Sequence, residues 1–432
     1  MKRWIYVPVC LLMSLYAGAQ WKQEDIYTPF VLYKERVKLD ENLKENIIGK
    51  TFNLPLDSNT AYKYESACWA ITQFLLRDEQ IEAGFERMLK AYDMLDADAR
   101  QAVLEAIYGN YPTRFKTEID AISRVETDAK LFSICLVYLL RNDSSAKNRS
   151  ELLIRMTERF PEYDSTMVLS ALQSFLNNHS REIRTPIPAL TELFSYSKSL
   201  GRKTVYSFQR WNRDYPGLAI VQNVDGRFVR HPDGRLMVFQ QLARSGSDLP
   251  YFITNGSTPQ GVYSISGIGI SHNNLIGPTP NLQMAMPYEE KWEKYFQLDS
   301  TKTWDSTQNT LAAYLNLLPA GWRSYTPMTE AFIAGKVGRT EVIAHGTTID
   351  PEYFRDQPFY PLTPTLGCLC AREQWNVTTG RPTLSEQLGL VNAFLSTHGS
   401  KGYLIVVNLD NQQRPVTREE LDKWVQKFEQ SR

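Results

Sequence analysis

In the stretch VIAHGTTIDPEYFRDQPFYPLTPTLGCLCARE, residues 342–373, one of only five histidines, His345, stands 23 residues before Cys368. A thiol and an imidazole in one region can carry out acyl transfer if three things are supplied. The thiol needs a base, the base needs an orienting group, and the oxyanion needs backbone donors. Gly367, directly before Cys368, lets the chain bend tightly and brings N–H groups close to a bound carbonyl. His345 beside the thiol would hold it as thiolate, below the free value of about 8.5. The competing reading is an ordinary loop with a buried thiol, since five histidines and a few cysteines can meet by chance.

Cys370 admits two readings: a packing residue after the turn, or a redox partner that traps Cys368. A disulfide between residues two apart would be strained. Cys368, Cys370 and His345 offer three metal ligands, but zinc sites usually space their cysteines more widely, so neither metal nor organic cofactor is expected. Cys68, in SACWAITQFLL, and Cys135, in LFSICLVYLL, lie in apolar helical contexts and read as inert core thiols. His179, His231, His272 and His398 have no partner motif and read as surface or structural residues.

Positioning such a pair requires a rigid scaffold, and the pattern supplies one in the second half of the chain. From about residue 205 short runs rich in Val, Ile, Tyr and Phe alternate with Gly, Pro, Asn and Asp: GLAIVQ, GRLMVFQQ, PYFITNG, GVYSISGIGI, TEVIAHG and GYLIVVNLD. HGTT at 345–348 ends one of these strands and TLGCLC at 365–370 is a turn, so both fall at a sheet rim. Two late helices are expected, with capping-box spacing at Thr383 and Glu386 and at Thr417 and Glu420.

Residues from about 60 to 200 read differently. Ile81, Phe85, Met88, Leu89 and Tyr92 recur at helical spacing, as do Val103, Leu104, Ile107, Tyr108 and Tyr111. ERMLKAYDMLDADARQAVLEAI and IRMTERFPEYDSTMVLSAL share Arg-Met followed by Val-Leu-x-Ala and a branched aliphatic, which suggests stacked helical hairpins that bind proteins or act as a spacer.

The chain of 432 residues suits two domains. With 48 Lys+Arg against 48 Asp+Glu it has no net field to attract nucleic acid. Lys2 and Arg3 precede the apolar run WIYVPVCLLMSLYAG, and AGA at 17–19 suits a signal peptidase. The expected organisation is multidomain α + β: a signal peptide at 1–19, an all-α, repeat-like domain at 20–204, and a mostly β catalytic domain with C-terminal helices at 205–432. No later segment reaches membrane-spanning length, and the mature chain is expected to be secreted to the periplasm or cell envelope.

The motifs taken in order resemble the L,D-transpeptidase (YkuD-type) family of cell-wall enzymes. That family's strand ending in His-Gly-Thr matches His345-Gly346-Thr347. Its Ser/Thr-x-Gly-Cys-aliphatic motif matches Thr365-Leu366-Gly367-Cys368-Leu369, and its Thr-Pro-x-Gly strand matches Thr258-Pro259-Gln260-Gly261. The resemblance spans about residues 215–410 and leaves the helical half without a counterpart. It implies Cys368 as nucleophile, His345 as base and the Gly346 carbonyl as the group orienting the imidazole. It also implies oxyanion donors around Gly367, with Thr347 and Thr365 near the acyl donor. Leu366 stands where many relatives have His. Cys370 replaces an Arg or Asn that shapes the pocket, and Arg372 is the candidate substitute cation. The substrate implied is a peptidoglycan stem peptide, with envelope proteins as further partners through the helices. The alternative is a non-catalytic wall-binding or scaffold protein on a degenerate transpeptidase fold.

Overall fold

A computed structural model describes residues 21–57, 59–298, 304–397 and 399–431. The signal segment and His398 therefore lie outside the described residues. The chain forms a mixed α/β molecule, helical in its first half and built around an eight-stranded closed barrel in its second.

Helices at Ala61–Phe74, Ala97–Asn110, Ala129–Asn142 and Met167–Glu182 pack successively, and those at Glu79–Lys90, Lys116–Val125 and Ala146–Arg159 lie between them in sequence on the outside. Asp78, Asp96 and Asp128 cap three of these, each accepting a first-turn N–H. Such caps contribute about 0.5–2 kcal/mol apiece. Helix 129–142 is apolar nearly all round and is buried from Leu131 to Leu140. An inner helix needs that composition, whereas helix 79–90 buries only the stripe Ile81, Gly84, Phe85, Met88 and Leu89. The internal sequence match corresponds to two copies of one unit, a helix end, a 3-10 turn and a second helix, at Tyr92–Met94 and Tyr163–Ser165. Met88 and Met156, and Ala106 and Ala171, occupy equivalent places in one core.

The barrel strands are β1 (Thr204–Gln209), β2 (Gly217–Gln222), β3 (Phe239–Leu242), β4 (Gly261–Gly269), β5 (Asn281–Ala285), β6 (Ala344–His345), β7 (Leu369–Ala371) and, after the hairpin β8 (Glu373–Asn376) and β9 (Arg381–Ser385), β10 (Gly402–Asn408). Their order is β1-β10-β4-β5-β6-β7-β3-β2, with β1/β10 and β6/β7 parallel. Alternation divides each strand. Val205, Val221, Tyr263, Leu282, Ala344, Leu369 and Leu404 converge on the interior together with helix Glu386–Leu395. Tyr206, Ile220, Val262 and Ile405 face an outer layer that includes the C-terminal helix Arg418–Gln430. Both faces are covered, so β1, β2 and β10 are buried at every residue.

Several local expectations are corrected. PYFITNG is a series of turns, not a strand. Its Leu249, Phe252 and Ile253 neighbours join the core of the helical array, so this apolar run is spent on docking. Short helices at Trp292–Tyr295, Leu311–Leu315, Ala320–Arg323 and Glu330–Lys336 interrupt the β region, more than the two late ones expected. The cap of helix 386–395 is Ser385, the last residue of β9, which accepts from Leu388 N; Thr383 lies two residues earlier, within the strand. The capping box at Thr417 and Glu420 is present. Residues 21–33 run along the β8–β9 hairpin, with Thr28 N donating to Gly380 O (3.0 Å) and Tyr33 N to Val377 O (2.9 Å), before the chain enters the array. Among the described residues no helix is long and apolar enough to cross a membrane.

Strand directions place the ends of β1, β3, β5 and β10 and the starts of β2, β4, β6 and β7 at one rim of the barrel. The helical array covers this rim. Asn255 Nδ2 donates to Glu105 (3.0 Å) and Gln73 Nε2 to Pro364 O (3.4 Å) across the junction.

Candidate functional site

Cys368 lies one residue before β7 at the covered rim, and β6 and β7 pair in parallel with Ala344 opposite Leu369 and His345 opposite Cys370. Continuing that register sets Cys368 beside Ile343, on the same face as His345 and one diagonal step away. Gly367 adopts φ +119°, and a side chain there would strike Arg339 Nη2 at 2.5 Å and Gly256 O at 2.7 Å, so the turn admits only glycine.

Thr365 staples this turn. Its hydroxyl accepts from Gly367 N (3.0 Å) and donates to Cys368 O (2.9 Å). Thr258, at the start of the β4 segment, donates its hydroxyl to Gly367 O at 2.9 Å. Arg339 is buried and donates to Gly256 O (2.8 Å) and Ser257 O (3.2 Å), tying the docked loop to the turn. Gly367 N–H is thus occupied, whereas Cys368 N–H has no hydrogen-bond partner among the described residues.

His345 ends β6, and its Nδ1 hydrogen-bonds the Gly346 carbonyl, which leaves Nε2 as the unprotonated nitrogen of the neutral ring. Gly346 packs on Glu373: a Cβ there would lie 2.2 Å from its carboxyl carbon. Glu373 Oε2 accepts from Thr347 N at 2.8 Å and Oε1 from the Ser385 hydroxyl. Trp375 Nε1 donates to Thr347 O at 2.8 Å. Thr347 is buried, its hydroxyl set between Leu275 O (3.4 Å) and Ile349 N (3.1 Å), so it braces the turn.

The electrostatics correct one expectation. Cys368 Sγ donates to Glu341 O (3.3 Å) and accepts from Ile343 N (3.5 Å), and neither ring nitrogen of His345 is among its partners. Burial pushes the thiol up to about 11, although the Ile343 N–H and the Arg339 charge act against the rise. Burial pulls His345 down to about 4. The resting pair is neutral thiol and neutral imidazole rather than thiolate and imidazolium, because both charged forms lose hydration and no mutual contact repays them.

Arg372 sits away from the thiol. Its N–H meets Gln240 O (3.3 Å), its carbonyl accepts from Glu386 N (3.0 Å) and its charge acts on Glu386. The guanidinium whose charge reaches Cys368 is that of Arg339. Cys370 is buried beside the Thr363 hydroxyl at 3.5 Å and is a free thiol, as are Cys68, Cys135 and Cys368. Leu366 is exposed and faces Trp69, Glu65 and Asp98 of the array across a small groove.

A scan against protein-family models finds no match for this chain. Searches of the curated proteins and of the solved structures find none either.

Arg339 and Glu373 escaped sequence reading. Arg339, in KVGRTEV, has the composition of a solvated turn, and a carboxylate such as Glu373 at a strand start ordinarily faces water. The one available signal was position: Glu373 follows the Cys368 turn by five residues in a run whose alternation returns it to the side of Gly346.

The loop between the two turns, residues 346–365, packs Ile349, Phe354, Phe359 and Leu362 against Leu43, Ala70 and Phe74 of the helical half. Arg36 and Asp350 form an ion pair at 2.7 Å in the same seam.

Proposed function

We propose that the protein is a cysteine-dependent acyltransferase of the envelope, an L,D-transpeptidase acting on peptidoglycan stem peptides. The reading rests on the motif resemblance. The observation that carries it is the His345–Gly346 contact, which leaves Nε2 unprotonated on a residue that the β6–β7 register sets on the same face as Cys368. In the reaction His345 Nε2 takes the Cys368 proton, and the sulfur attacks the carbonyl of the third stem residue. The oxyanion meets the Cys368 N–H, and the imidazolium returns its proton to the departing D-Ala amine. The thioester then passes to an amine, regenerating the thiol. The thiol must first rotate from the Glu341 carbonyl toward His345, a change that substrate entry would drive, since catalytic hydrogen bonds often tighten only in the complex.

A second reading is favoured by one observation: the thiol points away from the imidazole beneath a rim that the array covers. A wall-binding or scaffold protein needs no more than that. Mass spectrometry of a disaccharide tetrapeptide incubated with the full mature chain under reducing conditions separates the two. Loss of D-Ala that disappears in Cys368→Ala supports the acyltransferase, and unchanged substrate with wild type supports the scaffold.

A further inference from the structure

The array and the barrel rim border a pocket of about 180 Å³ that the acyl-transfer reading does not use. Phe175 and His179 line it from the array, Trp211, Arg213 and Asn408 from the rim after β1 and β10, and Tyr251 from the docked loop.

Two of these residues are incomplete. Arg213 is 8% exposed; its Nη2 donates to Thr258 O at 2.9 Å, but Nη1 is buried with no hydrogen-bond partner. Asn408 is 2% exposed, and its Oδ1 is likewise buried and unpartnered. Buried polar atoms are nearly always paired, and a guanidinium nitrogen without an acceptor is among the costlier exceptions.

Glu330 and Asp248 act on the Arg213 charge through space, but neither hydrogen-bonds Nη1. Glu330 lines the cavity, but its oxygens accept from Gln260 N (2.8 Å) and Gln260 Nε2 (3.1 Å), and burial pushes its carboxyl up to about 7. Asp248 accepts from Ser257 Oγ at 3.2 Å and pairs with Arg141 at 3.9 Å.

An unmatched cationic donor and an unmatched neutral acceptor on one pocket call for a group carrying an anion next to an N–H. We infer that this cavity binds a small carboxylate with a neighbouring N–H, the chemistry shared by a peptide C-terminus and a free amino acid. The carboxylate meets Arg213 Nη1 and the N–H meets Asn408 Oδ1. His179, stacked on Phe175 at 4.2 Å and edge-on to Trp211 at 5.8 Å, completes an apolar wall for a small side chain. The space suits one small residue. Thr258 links the site to the nucleophile turn, because its carbonyl accepts from Arg213 and its hydroxyl donates to Gly367 O.

The test is isothermal titration calorimetry of the full mature chain with N-acetylalanine, alanine and N-acetylalanine methyl ester. Saturable binding of at least one acid, no binding of the ester, and affinity at least about tenfold weaker in Arg213→Gln are expected. Preference for N-acetylalanine assigns a peptide C-terminus, and preference for alanine assigns a free amino acid. Absence of saturable heat with both acids, equal binding of the ester, or unchanged affinity in Arg213→Gln overturns the site. Should Arg213→Gln not fold by circular dichroism, Asn408→Leu takes its place with the same expected loss, and the ester comparison on wild type needs no variant. Repeating the titration with Cys368→Ala keeps this result separate from turnover, so the acyltransferase reading can fail while the site stands.

Discussion

The turns beside His345 and Cys368, which leave the parallel β6–β7 pair at opposite ends, are held by different parts of the molecule. The His345 turn is braced entirely from the barrel half, by Glu373, by Trp375 and by Gln387, whose Nε2 donates to Ala344 O at 2.9 Å. The Cys368 turn is stapled by Thr365 and Thr258, then backed by Arg339 and a loop whose Leu249, Phe252 and Ile253 are buried in the helical core. The candidate base therefore owes its geometry to local contacts, and the candidate nucleophile shares its geometry with the array. On this comparison the helices are part of the site's construction and not a detachable spacer.

The comparison can be broken most sharply at the sulfur itself. Cys368→Ala is expected to reduce D-Ala release by about 10⁴-fold or more while leaving the thermal melt close to wild type, as removal of a nucleophile does elsewhere. Retained release in that variant would end the acyltransferase reading. Two glycine substitutions then test the two supports. In Gly346→Ala the new methyl meets the Glu373 carboxyl group, and overpacking should cost about 1–3 kcal/mol of stability along with activity. In Gly246→Ala the Cβ would lie 2.4 Å from Thr72 O, so the array must shift from the rim. That variant should lose activity with a smaller change in stability, measured by urea titration, and full activity would show the array to be dispensable.

The thiol offers a subtler handle. With Cys368 pushed up to about 11, alkylation by iodoacetamide in the absence of substrate should accelerate with pH well past the ordinary thiol value of about 8.5. Arg339→Met, which removes the nearby positive charge, should slow alkylation further at any given pH. A plateau near neutrality would mean that His345 holds a thiolate after all.

How much of this could be read from the chain depends on what each residue's neighbours are. The helices of the first half, β2, β4 and β10 and the cap at Thr417 were legible because periodicity and capping are local properties. The His345 and Cys368 turns were legible as candidates because glycine and residue order mark them. PYFITNG misled, since an apolar β-rich run is consistent both with a strand and with a loop that buries itself in a neighbouring domain. β6, two residues long, shows no pattern of its own beyond its apolar lead-in. Arg213, Arg339 and Glu373 were invisible because burial of a charge is decided by elements far away in sequence: Arg339 answers carbonyls of the 251–257 loop, more than 80 residues upstream.

The smallest expected effect separates the two groups of the His345 turn by the sign of their pH dependence. Burial raises Glu373 from 4.5 to about 7, so the folded state holds its proton more tightly than the unfolded chain. That contribution is complete below about pH 4.5 and is lost as pH rises through about 7. His345 runs the other way: lowered from 6.5 to about 4, it contributes above 6.5 and loses that contribution as pH falls toward 4. The two slopes oppose each other over nearly the same window, and the wild-type profile should look flatter than either. Glu373→Gln keeps an acceptor for Thr347 N and removes the acid, so its stability should fall with decreasing pH across this window. His345→Gln should instead lose stability as pH increases. Unfolding free energies from urea titrations at the two ends of the window should move in opposite directions in the two variants. Parallel profiles would mean that neither group is buried as described, and the bracing of the His345 turn by Glu373 would have to be abandoned.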